Sequence, residues 1–320
     1  MKVIALGTGP FAVPTLRRLH DDPQHEVLLV VTRPPRGRRA AIAPMALAAQ
    51  ELELPLWQPD TVNEDEAHQR LKSLDAQLMV VCDYGEILKP AALECTSLGG
   101  VNLHGSLLPK YRGAAPVQWA VFNGDQETGN TVIQMTPGLD AGPILGVQRT
   151  PIDPHETAGE LEERLAEMGA TLVEEVIAQL ATDSTSPVEQ DSSKKSKAPR
   201  LAKEHGLIDW SQSAQQIHNQ VRALQPWPRA YTHWEADGDD PQRLIVHRTR
   251  FPEADSGDSA TPSSADSSEP GTITSAEDSL IVATGEGVLE LLEVQPAGKR
   301  AMPAGDFLRG NRLKPGDSLS

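Results

Sequence analysis

Positive charge is what this chain is short of. Against 45 Asp and Glu it sets 29 Lys and Arg, a net charge of −16 over 320 residues. Such a deficit argues against a protein held on nucleic acid by bulk electrostatics, so any RNA contact has to come from local basic patches. Cysteine is almost missing. Cys82 and Cys95 have neither the number nor the spacing of a disulfide framework or a metal motif, and both read as reduced structural groups. Long apolar runs are also missing, which excludes a membrane-spanning helix. The opening residues, MKVIALG, lack the apolar length and cleavage site of a secretory leader. A cytoplasmic protein is the expectation. Hydrophobic residues make up 38% of the chain, enough to build a core, and the length suits two domains.

The stretch most informative about chemistry is residues 101–116, VNLHGSLLPKYRGAAP. Val101, Asn102 and Leu103 follow Gly99-Gly100 and predict a short apolar strand. Residues two apart on a strand share a face, so Asn102 and His104 project together. A loop with Gly105, Ser106, Pro109 and Gly113 follows, and a helix opens at Pro116, a residue suited to the first helical position. In α/β sheets ligands gather outside the carboxyl ends of strands, where this loop falls. Asp140 lies in a second Gly/Pro-rich loop, residues 138–143, and can fold back to orient His104. An amide donor, an imidazole and a carboxylate together suit acyl transfer, in which an oxyanion needs a donor and a proton must move. Each also has a plain structural reading: a hydrogen-bonded strand-end histidine, or an aspartate capping a turn.

Read as a string, the residues point further. Asn102-Leu103-His104-Gly105-Ser106-Leu107-Leu108-Pro109, then Tyr111-Arg112-Gly113-Ala114-Ala115-Pro116, resembles the signature of folate-dependent formyltransferases. Gly138-Leu139-Asp140-Ala141-Gly142 resembles the partner loop that carries that family's catalytic Asp. The resemblance implies an α/β, Rossmann-like catalytic domain with a mostly parallel sheet, followed by a small C-terminal β-barrel of OB type. It implies Asn102, His104 and Asp140 as catalytic residues. It places the co-substrate, 10-formyltetrahydrofolate, against Tyr84, Gly85, Ile87 and Leu88, against Ser106, Leu107, Leu108 and Pro109, and against Leu139. Neither a metal nor NAD(P) is called for. Ile208-Asp209-Trp210, Pro226-Trp227-Pro228 and Gln295-Pro296-Ala297-Gly298-Lys299 resemble the members of the family that formylate the α-amine of methionine on initiator tRNA. Members acting on amino sugar nucleotides share the Asn/His/Asp centre and are the alternative.

Two basic stretches are the expected tRNA contacts. Residues 33–39, RPPRGRR, include Arg36, Arg38 and Arg39 between a strand and a helix opening near Pro44. Lys194, Lys195, Lys197, Arg200 and Lys203 close a Ser/Thr/Lys-rich segment that is short of large apolar groups and reads as a linker. The expected division is a catalytic domain over 1–181, a basic linker over 182–203 and a tRNA-binding domain over 204–320, in a monomer. Residues 252–270, rich in Ser, Ala, Thr and acids, read as a disordered insertion.

The remaining periodicities fill in the architecture. Strands are expected at 3–6, 27–31, 77–82, 130–135 and 142–150. Leu161, Leu165, Met168, Leu172 and Val176 form the core stripe of a long helix opened by a Thr157/Glu160 capping box. Asn63 and Glu66 suggest a capping arrangement for a helix reaching Leu74. A helix over Ala214, Ile217, Val221 and Leu224 precedes alternating runs at 230–235, 243–251, 271–274, 280–284 and 288–294, the pattern of a small barrel. Trp210 and Trp227 read as core anchors. Gly7-x-Gly9-x-x-Ala12 with Arg33 after the next strand also fits a dinucleotide site with a 2′-phosphate contact, as in an NADP oxidoreductase, but leaves residues 106–116 without a task. A non-catalytic RNA- or folate-binding module is a third reading.

Overall fold

The computed structural model describes residues 1–35, 37, 41–235, 241–252, 268–311 and 313–320. Arg36, Arg38, Arg39 and most of the acidic insertion, 253–267, lie outside the described residues. The chain divides into two compact units. One comprises Met1–Val117, Gln126–Asp153 and Glu160–Arg200; the other comprises Gln118–Asp125, Pro154–Gly159 and Leu201–Ser320.

The first unit is built on strands β1 (Lys2–Gly7), β2 (Glu26–Val31), β3 (Leu56–Trp57), β4 (Leu78–Cys82) and β5 (Gly100–His104), with the two-residue β6 (Arg112–Gly113), then β7 (Glu127–Gln134), β8 (Ile144–Pro151) and the two-residue β9 (Lys197–Ala198). Helices α1 (Val13–Asp21), α2 (Pro44–Glu51), α3 (Asp65–Ser73), α4 (Pro90–Leu93), α5 (Pro116–Phe122) and α6 (Ala158–Ala181) connect them. The sheet order is β3-β2-β1-β4-β5-β7-β8. Its first five strands run parallel, and β7 and β8 are antiparallel. β1 and β4 are buried almost along their whole length, as their unbroken apolar runs require of strands covered on both faces.

The chain leaves β1 towards β2 and later returns to β4 on β1's other side. The carboxyl ends of β1 and β4 are therefore the switch point of the strand order, the place where doubly wound sheets bind ligands. Cys82 pairs with Leu103, so Asp83 and His104 emerge side by side at this end. Gly9 lets the first loop close over the second: a Cβ there would stand 1.9 Å from Asp83 Oδ2. Helix α3 is not capped as expected. It has no side-chain cap, because Asn63 is drawn away to Glu86, the Ile87 carbonyl and the Lys89 amide.

Of the expected linker, 182–203, residues 182–200 lie along the first unit. Val188 exchanges both backbone hydrogen bonds with Ile144, and β9 pairs in parallel with β6. This close approach needs Gly113. Its φ is +133°, and a Cβ would stand 2.4 Å from the Ala198 carbonyl oxygen.

The second unit contains α7 (Ala214–Ala223), β10 (Ala230–Trp234), β11 (Gln242–Arg250), β12 (Ile273–Ser275), β13 (Leu280–Ala283), β14 (Val288–Pro296), β15 (Met302–Pro303) and α8 (Ala304–Gly310). The antiparallel order is β10-β11-β14-β13-β12, with β15 on β14. The sheet curls until one segment serves both edges: Ser318 bridges to Thr272 beside β12, and Leu319 bridges to Trp234 on β10. The expected OB-type barrel is thus a curled sheet, its exposed edges covered by residues 318–319. Its core gathers Leu244, Val246, Leu280, Leu289, Leu291 and Phe307, with Trp234 edge-on to Phe307 at 5.2 Å.

Trp210 is the anchor expected of it: buried, with Nε1 donating to Thr232 Oγ1 at 3.0 Å. Trp227 is not, being 53% exposed. It stands between Pro226 and Pro228 in the turns after α7, where no helical or strand register turns its ring inward.

Candidate active site

β5 delivers Asn102, half-buried, and His104, only 5% exposed, on one face of the strand. The loop beyond is locked from within. Ser106 Oγ donates to the Lys110 carbonyl at 2.7 Å. Thr131 Oγ1 donates to the Ser106 carbonyl and accepts from the Leu108 amide. This folding brings the backbone carbonyl of Tyr111 to 2.9 Å from His104 Nε2. A carbonyl oxygen only accepts, so Nε2 carries a proton and the neutral ring keeps its lone pair at Nδ1.

Nδ1 faces Asp140 Oδ2 at 3.8 Å. Asp140 has φ +47°, a conformation that Asp tolerates better than most residues and that turns its carboxylate back across the loop. Oδ2 accepts from the Gly113 amide at 2.8 Å. The backbone is held as well: Gln190 Nε2 donates to the carbonyls of Asp140 and Gly142 at 2.9 and 2.8 Å. Gln190 Oε1 in turn accepts from Arg112 Nη2 at 2.7 Å. Ser196 adds a second tie, its Oγ accepting from the Tyr111 amide at 2.8 Å. Nothing in the local pattern marked Gln190 or Ser196. They stand in a polar stretch whose composition is that of a tether.

Asp83 and Glu162 form a second acidic group that sequence reasoning passed over. Asp83 is exposed as a residue, yet desolvation of its carboxyl pushes it up to about 6, against the pull of the Gly9 amide and the charge of Arg200. Burial pushes Glu162 up to about 7, and the neighbouring carboxylates of Asp83 and Glu163 add to it. An acid just after a buried parallel strand was the available signal for Asp83. Cys82 and Cys95 are free and buried, as expected.

The residues expected around the co-substrate divide into two kinds. Tyr84, Leu88, Ser106 and Leu108 are buried, and the Ser106 hydroxyl is occupied, so these shape the loops from beneath. Ile87 and Leu139 are open, at 58% and 54% exposure, while Leu107 and Pro109 are half-buried and Gly85 has φ +82°. Lys194, Lys195, Lys197, Arg200 and Lys203 are all exposed; Lys194 pairs with Asp191 at 3.3 Å. Arg33, the residue that a 2′-phosphate contact would use, is paired within the protein. Its Nη1 donates to Glu86 Oε2 at 2.7 Å.

A doubly wound sheet with Asn102, His104 and Asp140 at its carboxyl edge is thus followed in the chain by a curled antiparallel domain. Residues 1–177 match the formyl transferase family and residues 200–312 match the formyl transferase C-terminal domain; the chain belongs to this family. It is 43% identical to the methionyl-tRNA formyltransferase of Rhodopirellula baltica, over 100% of this chain and 96% of that one. It is 41% identical to the methionyl-tRNA formyltransferase of Solibacter usitatus, over 100% and 98%. Among solved structures, an N-formyltransferase from Helicobacter canadensis in complex with folinic acid and dTDP-3-aminofucose superposes with a TM-score of 0.66. At 17% identity over 92% of this chain and 98% of that one, the likeness is one of fold. Among the described residues no helix is long and apolar enough to cross a membrane.

Proposed function

We propose that this chain transfers the formyl group of 10-formyltetrahydrofolate to the α-amine of methionine carried on initiator tRNA, acting as a cytoplasmic monomer. The observation that carries the reading is the meeting of His104 and Asp140 at 3.8 Å beside Asn102, within a chain similar over its full length to methionyl-tRNA formyltransferases. Residues 1–181 would carry the chemistry, 204–320 would hold the RNA, and 182–203 would join them.

The side chains suit the transfer in distinct ways. The Asn102 amide takes no part in the hydrogen bonds among the described residues, so it is open to donate to the oxygen that gains charge as the amine adds to the formyl carbon. One such donor lowers a barrier by about 3 kcal/mol. His104, committed as a donor at Nε2, accepts the amine's proton at Nδ1, and the Asp140 carboxylate opposite stabilises the imidazolium. The same proton is then available to the departing nitrogen. The open apolar side chains of Ile87 and Leu139 suit the flat ring of the donor, with Gly85 two residues before Ile87 and the half-buried Leu107 and Pro109 in the loop after β5. Lys194, Lys195, Lys197, Arg200 and Lys203, with Arg36, Arg38 and Arg39, supply the cations that RNA phosphates require of an acidic chain.

Formyl transfer is measured from 10-formyltetrahydrofolate to charged initiator methionyl-tRNA and, in parallel, to dTDP-linked amino sugars, with wild type and His104→Ala. Transfer to the tRNA alone, lost in the variant, is the expected result. Transfer to the sugar would overturn the reading of the second unit.

A further inference from the structure

Arg33 opens the arginine-rich stretch, yet its side chain is spent inside the protein. Its guanidinium reaches Glu86 Oε2, and the two side chains keep only 19% and 15% of their exposure. Glu86 collects three further donors: the Thr61 hydroxyl, the Val62 amide at 3.3 Å and Asn63 Nδ2 at 2.9 Å. The same Asn63 amide donates to the Ile87 carbonyl at 2.9 Å, and Asn63 Oδ1 accepts from the Lys89 amide at 2.7 Å. On the other side, the Arg33 amide donates to Thr8 Oγ1 at 3.3 Å, and Thr8 Oγ1 donates to the Tyr84 carbonyl at 3.0 Å. Gln58 Nε2 donates to the Arg33 carbonyl at 3.2 Å. Residues 83–88 are therefore suspended between two loops, with Glu86 as the hub.

A half-buried carboxylate without a cationic partner is costly, and among these four donors Arg33 is the cation. We infer that Arg33 and Glu86 are positioning residues for the formyl donor: their ion pair fixes residues 83–88, and through them the exposed Ile87, and Arg33 takes no part in gripping tRNA. The inference rests on the proposed function, which gives residues 83–88 to the donor. It separates Arg33 from Arg36, Arg38 and Arg39, with which sequence alone would group it.

The test is steady-state formyl transfer by the full chain carrying Arg33→Gln, Arg33→Lys, Glu86→Gln or the Arg33→Gln/Glu86→Gln pair. Arg33→Gln keeps the three other donors to Glu86, so the loop stays packed. The expected result is a KM for 10-formyltetrahydrofolate raised roughly ten-fold, with kcat at saturating donor and KM for methionyl-tRNA unchanged. Arg33→Lys should recover part of the loss, and the double variant should lose no more than either single one. A merely structural pair would lower the amount of active enzyme, and so kcat, without moving the donor KM; that outcome overturns the inference. So does a raised KM for tRNA with the donor KM unmoved, which would return Arg33 to the phosphate-binding set. Failure of the functional reading looks different: wild type would show no transfer from 10-formyltetrahydrofolate to methionyl-tRNA.

Discussion

His104 is oriented by the backbone of Tyr111: Nε2 donates to the Tyr111 carbonyl at 2.9 Å, and Nδ1 is left to face Asp140. A main-chain carbonyl therefore selects the tautomer, and the carboxylate is freed for electrostatics. Asp140→Asn should leave the fold intact, because Asn still accepts from the Gly113 amide, while turnover falls roughly 10²–10⁴-fold. Single-turnover formyl transfer beside a thermal melt checks both halves. A rate close to wild type would remove Asp140 from the chemistry.

Gln190 holds the Asp140 loop by two carbonyls and Arg112 by its own oxygen. Gln190→Ala leaves those groups without their partner and should cost about 1–2 kcal/mol of stability. Because the loss falls on the Asp140 backbone, kcat should drop several-fold at temperatures where the variant is still fully folded. Denaturant melts set against kcat at 25 °C separate the two effects.

Asp83 and Glu162 bind their protons more tightly in the folded chain than the ordinary 3.8 and 4.5, at about 6 and about 7. The folded state is thus favoured at low pH. It loses that advantage as pH rises from about 4 through 6 to 7. Asp83→Asn, which can still accept from Gly9, should flatten the fall and stabilise the protein at pH 8 relative to wild type. Urea melts between pH 4 and pH 8 read this directly, and an unchanged slope would refute the pairing.

The two tryptophans separate by burial. Trp210→Ala empties a core position and a hydrogen bond to Thr232, and should cost about 3–5 kcal/mol. Trp227→Ala, at 53% exposure, should stay within about 0.5 kcal/mol of wild type. Parallel chemical melts of the two variants distinguish a core residue from a surface one.

Much of the architecture was legible because it is written in local periodicity. Unbroken apolar runs gave β1 and β4, and alternation gave β10, β11, β13 and β14 within a residue or two. A strand's period of two places Asn102 and His104 on one face. Trp227 and Asn63 were misjudged because a turn between prolines has no period, and because a capping residue goes to whichever partner the fold brings nearest.

By itself the sequence determined the family and the two-part architecture, and it singled out Asn102, His104 and Asp140 as the candidates for the chemistry, since these follow from local pattern and residue type. The tertiary structure alone decided how they are held. Gln190 reaches the Asp140 carbonyl across 50 residues, and Arg33 reaches Glu86 across 53. The group that orients His104 is a backbone carbonyl, which every residue possesses and no side-chain pattern can announce. Separations and main-chain donors of this kind leave no trace in composition or spacing; they come into being only when the chain has folded.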